Sequence, residues 1–401
     1  MRFSGLYAFV TAILLSLLSS CSDSNSELLE VITDDDSDTA SSVSKRTVLV
    51  YMVATNSLGS NGFDLEDISE MQEAMSQYTD GECRLLVYHL NYSSTYPTLT
   101  EIRNDGAGSY ITDTLVTYPS TAQASVTTAR MSQVIADAQS LAPANDYGLI
   151  LWSHATGSVR SITKAVATIR DYAEDNGATM PIDSLAAAIP DGTFSFIYAD
   201  ACYLGAIEVA YQLRNKANYF VGSPTEIPAY GMPYDQNIPC FFKDEPAIEQ
   251  ACMNTYSYYS EFYRDDLSEA ENEAYRSITI AMVDCSLLSE LASICHSIHA
   301  TAQALTSTDE LQHYHLYYPH IYFDFKQYTQ AISTDSSLSD QFSELLEQTV
   351  VYKACTESLF GLLTIDEDNF SGLSTYIIGE SDDTNDAFYK TLDWYNDAIA
   401  Q

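Results

Sequence analysis

From residue 47 to 53 the chain reads Thr-Val-Leu-Val-Tyr-Met-Val, an unbroken apolar run of the kind a strand covered on both faces requires. The period then changes. Leu65, Ile68, Met71 and Met75 recur at helical spacing, which predicts a helix over 60–78. Cys83 to Leu90 returns to the strand pattern, and Thr98 to Arg103 and Tyr110 to Val116 pair as a hairpin around Asn104-Asp105-Gly106. Thr127 to Ser140 reads as a helix, and Tyr147 to Trp152, Phe194 to Ala199 and Tyr219 to Gly222 read as strands. Leu204 to Leu213 is amphipathic and predicts a helix directly after the second of these strands. Beyond Pro246 helices dominate (248–263, 286–304, 337–350), with strands at 276–283 and 373–378. Strands alternating with helices predict an α/β fold, a mainly parallel sheet flanked by helices, followed by a helix-rich C-terminal extension.

The first twenty residues have a different logic. Arg2 precedes an apolar stretch from Leu6 to Leu18, too short for the ~20 residues of a membrane-spanning helix. Leu18-Ser19-Ser20-Cys21 follows, and it resembles a bacterial lipobox, in which the cysteine is lipidated and becomes the new N-terminus. The alternative is an ordinary signal peptide. Residues 1–20 are therefore expected to be a lipoprotein signal peptide and 21–45 an acidic, Ser-rich tether with too little apolar surface to order. A catalytic domain over 46–245 and an α/β extension over 246–401, packed on the same domain, complete the expected organisation. The expected location is the cell envelope, lipid-anchored through Cys21 to the bacterial outer membrane, periplasmic or surface-exposed.

Composition narrows the function. With 17 basic against 56 acidic residues and a net charge of −39, nucleic acid is a poor partner, because phosphate binding needs Lys and Arg. Seven cysteines follow Cys21 without CxxC spacing, so neither a zinc ribbon nor a disulfide scaffold is expected, although an oxidising compartment permits one or two bridges. His313, His315 and His320 are locally dense but lack a clear spacing for a shared metal, and a polar surface patch is the expected role. No G-x-S-x-G elbow and no EF-hand-like loop is present. No metal or cofactor is expected; calcium stays open but has no loop in the sequence to support it.

Two strands end in reactive side chains: Gly148-Leu-Ile-Leu-Trp-Ser-His154 and Phe194-Ser-Phe-Ile-Tyr-Ala-Asp-Ala-Cys202. If these strands are parallel neighbours, thiol and imidazole share one sheet edge, where ligands bind in open α/β sheets. Together they are the minimal equipment for acyl transfer, sulfur attacking a carbonyl and imidazole moving the proton. Taken singly, each has a bland reading as core or surface residue.

Asp200-Ala-Cys-Tyr-Leu-Gly205, the His154 block, Val48-Leu-Val-Tyr-Met52, Asp64-Leu-Glu-Asp67, Ser223-Pro-Thr-Glu-Ile-Pro228, Gly231-Met-Pro-Tyr234 and Ser371-Gly-Leu-Ser-Thr-Tyr376 together resemble the clostripain-related cysteine peptidases of caspase-like fold. The resemblance runs from about Arg46 to the C-terminus. It implies that Cys202 is the nucleophile and His154 the general acid/base, with backbone N–H groups of Ala155 and Cys202 as oxyanion hole. It further implies that Asp200, with Glu226, receives an Arg or Lys side chain of a protein or peptide substrate. Arg160, Lys164 and Arg170 lie between the catalytic pair and are candidate self-cleavage sites, or ordinary surface charges. This chain departs from the family at Ala155, where the family has Gly, and at Ser158 and Tyr203. A positive φ at Ala155 would make its methyl an obstacle. The alternative function is accordingly a catalytically impaired homologue acting as a surface binding lipoprotein. For Asp200 the alternative is an N-cap of the following helix.

Overall fold

A computed structural model describes residues 43–155, 171–381 and 383–401. The leader, Cys21, most of the tether, Ser158 and the three candidate cleavage sites Arg160, Lys164 and Arg170 lie outside the described residues. In chain order the strands include β1 (Ser44–Ala54), β2 (Cys83–Asn91), β3 (Thr98–Asn104), β4 (Tyr110–Thr117), β5 (Ala144–Trp152), β6 (Asp171–Asp175), β7 (Ala178–Pro181), β8 (Phe194–Asp200), β9 (Ala217–Gly222), β10 (Thr279–Asp284), β11 (Phe323–Asp324) and β12 (Val350–Cys355), with three two-residue strands after them. Nine of them form one sheet in the order β12-β10-β9-β8-β5-β1-β2-β3-β4. The five central strands, β9 to β2, are mutually parallel, and antiparallel strands extend both edges. Two strands beyond Pro246, β10 and β12, therefore add to the sheet that the preceding residues build.

The unbroken apolar run of β1 serves two cores at once. Leu49, Tyr51 and Val53 enter one, Val48, Val50 and Met52 the other, as a period of two requires. One face of the sheet is covered by α2 (Phe63–Gln77), through Met71 and Met75, and by the segment around Phe241. The other is covered by α3 (Thr128–Leu141), α4 (Ile182–Ala188) and the helix Leu288–His299.

Several elements differ from their sequence pattern. The helix expected over 60–78 is two, α1 (Ser57–Asn61) and α2, broken at Gly62. The helix expected from Leu204 shrinks to α5 (Ile207–Gln212), whose residues Ile207 to Tyr211 are all buried. The strand expected over 373–378 is reduced to Ser374–Thr375, paired with β11 rather than with the large sheet. β1 starts at Ser44, because the Ser44 and Lys45 amides already donate to Pro143 and Glu82. The β6–β7 hairpin and edge strand β12 have no clear sequence signal; β12 is only alternately buried and follows an amphipathic helix without a turn signal.

Candidate active site

Trp152 of β5 pairs with Asp200 of β8 in parallel register, so each reactive side chain lies two residues past the same rung of the sheet. His154 and Cys202 consequently line one cavity of about 130 Å³, together with Leu58, Asp200, Glu226 and Gly231. A larger depression of about 950 Å³ lies around Lys45, Asp146 and Asp244. It is built at the opposite, amino edge of the central strands, and neither cysteine nor histidine lines it.

His154 is held through α1. Its Nε2 lies 2.7 Å from Oγ of Ser57. Asn56, the α1 N-cap, accepts from the Leu58 amide and donates to the carbonyls of Val53 and Glu174. Ser153 Oγ donates to the Val53 carbonyl at 2.8 Å, which fixes the backbone just before the imidazole. Just after it, Ala155 bridges to Tyr172 of β6. Ala155 is not among the described residues with positive φ, so this position does not require glycine on conformational grounds.

Cys202 differs from the other six described cysteines, all of which are buried; it alone is partly exposed, and all seven are free of disulfides. The Ile227 amide points at its sulfur at 3.4 Å. Burial first, and then the charge of Glu226, push the thiol up to about 12. The chain turns sharply here: Tyr203 adopts φ 57°, and its amide donates to the Thr225 carbonyl at 2.8 Å. Gly205 follows, so close to residues 222–224 that a β-carbon on it would lie 2.4 Å from the Ser223 carbonyl carbon. That turn consumes Tyr203 to Ala206 and explains the late start of α5.

Glu226 accepts from the Tyr203 hydroxyl at 3.2 Å, and burial raises its carboxyl from 4.5 to about 7. Asp200 is 6% exposed. Its Oδ2 accepts from the Met232 amide at 3.1 Å and the Tyr234 hydroxyl at 2.9 Å, and burial raises it to about 6. Asp200 does not cap α5, whose N-cap is Ala206 without a side-chain bond. The capping alternative for Asp200 is thereby removed.

Three participants are not singled out by the sequence: Ser57, Glu70 and Asp67. Asp67 lies in the Asp64-Leu-Glu-Asp67 block and shares a helix face with Met71 and Met75, and an acid on an apolar face is the available signal. His313, His315 and His320 direct Nδ1 at the carbonyls of residues 315, 319 and 315, and His313 stacks on His320 at 3.6 Å. These imidazoles brace their own loop. Among the described residues no group of three or more His, Cys, Asp or Glu is placed to hold a metal.

Residues 50–399 match the sequence model of the clostripain family. No curated protein matches the chain. Among solved structures, a secreted C11 cysteine protease from Bacteroides thetaiotaomicron in complex with an irreversible peptide inhibitor is 32% identical, with TM-score 0.74, over 88% of this chain and 98% of that one. An inactive zymogen C11 protease from Parabacteroides distasonis is 29% identical, with TM-score 0.75, over 89% of this chain and 99% of that one.

Proposed function

Since the chain belongs to the clostripain family, we propose that it is a secreted cysteine endopeptidase cutting peptide bonds after Arg, and after Lys less readily. Cys202 Sγ attacks the carbonyl carbon while its proton passes to His154. Backbone N–H groups of Cys202 and Ala155 receive the oxyanion, as fixed donors that need no reorganisation. The amine leaves with the proton from His154, and a water molecule that gives a proton to His154 then hydrolyses the thioester.

The observation that carries the specificity is Asp200. It is a buried acid in the wall of the cavity that holds the thiol, and among the described residues no Lys or Arg forms an ion pair with it. A buried carboxylate without a cation is costly, and a guanidinium satisfies it with two parallel hydrogen bonds where an ammonium offers only a point charge. Asp200→Asn should depress kcat/KM for Arg and Lys peptides far more than for Leu peptides. An equal fall across all three, with a lower Tm, would make Asp200 structural.

The alternative, a non-cleaving surface lipoprotein, rests on the departures at Ala155, Ser158 and Tyr203; Ala155 is not among the described residues with positive φ, which supports the cleaving reading. Anchoring through Cys21 is part of the same proposal, supported by the Leu18-Ser-Ser-Cys21 sequence. Among the described residues no helix is long and apolar enough to cross a membrane. Mass spectrometry of the mature N-terminus should find acylated Cys21; a mature chain starting elsewhere would refute the anchor.

A further inference from the structure

Behind Asp200 stands a second acid. Asp67 of α2 is 1% exposed, and its Oδ2 accepts from Nε1 of Trp152 at 2.5 Å. Gly231, at φ +65°, passes directly over both carboxylates. A β-carbon there would lie 2.7 Å from Oδ2 of Asp67 and 3.0 Å from Oδ2 of Asp200. The glycine thus lets the chain close over two carboxylates that face the same point, one of them in the wall of the cavity that holds the thiol.

The donors to this pair are neutral: Trp152 to Asp67, the Met232 amide and the Tyr234 hydroxyl to Asp200. Tyr234 is also titratable, and the other titratable groups that interact electrostatically with the pair include Glu66 and Glu70 of α2, Tyr172, Tyr198, Tyr258, Tyr259 and Cys202. Glu70 is itself raised to about 7 by burial while accepting from the Tyr234 amide. Among the described residues Arg264 is a nearby cation, and it is taken by Glu66 at 3.0 Å and Asp266 at 3.2 Å. Two buried carboxylates this close, without a cation between them, do not both stay ionised.

We infer that Asp67 is a positioning residue of the specificity pocket: it shares one proton with Asp200 in the free protein, and a basic substrate side chain expels that proton as it binds. The inference rests on the proposed Arg specificity. The proton goes to solvent, the guanidinium neutralises the pair in its place, and no covalent bond changes. The consequence is a specificity that depends on pH. At low pH the protonated pair offers a cation little, and above its titration the pair attracts one with up to two charges. Burial raises both acids, Asp200 to about 6 and Asp67 upward with the Asp200 charge as second cause.

The test is calorimetric binding of a peptide ending in Arg against the same peptide ending in citrulline, its neutral isostere, from about pH 5 to about pH 8. In the parent protein the Arg-to-citrulline affinity ratio should climb about tenfold or more with pH. Binding of the Arg peptide near pH 6, repeated in buffers of different ionisation enthalpy, should release a fraction of a proton approaching one. In Asp67→Asn, which keeps an acceptor for Trp152, Asp200 titrates without a like-charged partner, so the rise of the ratio should move to lower pH and the proton released near pH 6 should fall by about half or more. An Arg preference whose pH dependence survives Asp67→Asn unchanged, or that releases no proton in the parent, overturns the role of Asp67 alone. No preference for Arg over citrulline at any pH overturns the proposed specificity itself. The proton count needs no variant, so its absence in the parent overturns the shared proton even if Asp67→Asn fails to fold.

Discussion

At the scale of single residues, the surroundings of Cys202 favour its protonated thiol. It is pushed up by burial and by Glu226, against which the Ile227 amide at its sulfur is a smaller opposing effect. Glu226→Gln removes the charge and keeps an acceptor for the Tyr203 hydroxyl. Alkylation of Cys202 near pH 8 should then run about three- to tenfold faster. The same variant tests linkage. Glu226 titrates near 7 in the folded protein and at 4.5 when exposed, so the native state binds the extra proton between those values. Stability from this group is present below about 4.5 and is lost as pH rises through 7. Discounted for partial exposure, the parent should lose about 2 kcal/mol relative to Glu226→Gln across that window. A constant difference in denaturant unfolding free energy at pH 4 and pH 8 would contradict the role of burial. His154, Cys202 and Asp200 are legible in the sequence because each ends an apolar run, whereas Asp67 stands out only as part of a motif. Its importance depends on Gly231 folding over it from more than 160 residues away, a contact no local pattern encodes.

At the scale of elements, the decisive piece is the turn between β8 and α5. Tyr203 in the left-handed region and Gly205 against Ser223 press residues 202–206 onto residues 223–227, which brings Glu226 and Ile227 to the thiol. Gly205→Ala would set a β-carbon against backbone, which cannot rotate away as a side chain could. It should cost about 3 kcal/mol in unfolding free energy and abolish Cys202 reactivity. A loss below about 0.5 kcal/mol would show that this approach is looser than described. Central strands are readable from uninterrupted apolar runs, since a strand buried on both faces has little room for polar residues. Edges are not. β12 alternates, follows a helix without punctuation and draws its strand character from pairing with β10, a tertiary effect. The expected helix from Leu204 fails for a different reason, because its first turn is spent on the close approach at Gly205.

At the scale of the molecule, 56 acidic residues against 17 basic ones leave most carboxylates without a possible partner. Repulsion among them should outweigh the exposed ion pairs, each worth about 0–1 kcal/mol. Raising salt from about 10 mM to about 300 mM shortens the Debye length several-fold and should raise Tm by a few degrees at pH 7. A falling Tm would mean that the ion pairs dominate. The same field favours basic peptides in solution, consistent with a pocket whose wall acid, Asp200, and the Asp67 behind it are buried and served by neutral donors.

Cys202 as a nucleophile addressed through an acidic pocket is the central claim. Its most direct test is mass spectrometry of the protein treated with an electrophilic peptide ending in Arg, beside matched peptides ending in Leu and Asp. One label per chain on Cys202 is predicted, formed fastest from the Arg peptide and absent in Cys202→Ala. No label, a label on another cysteine, or equal labelling by all three peptides would contradict it.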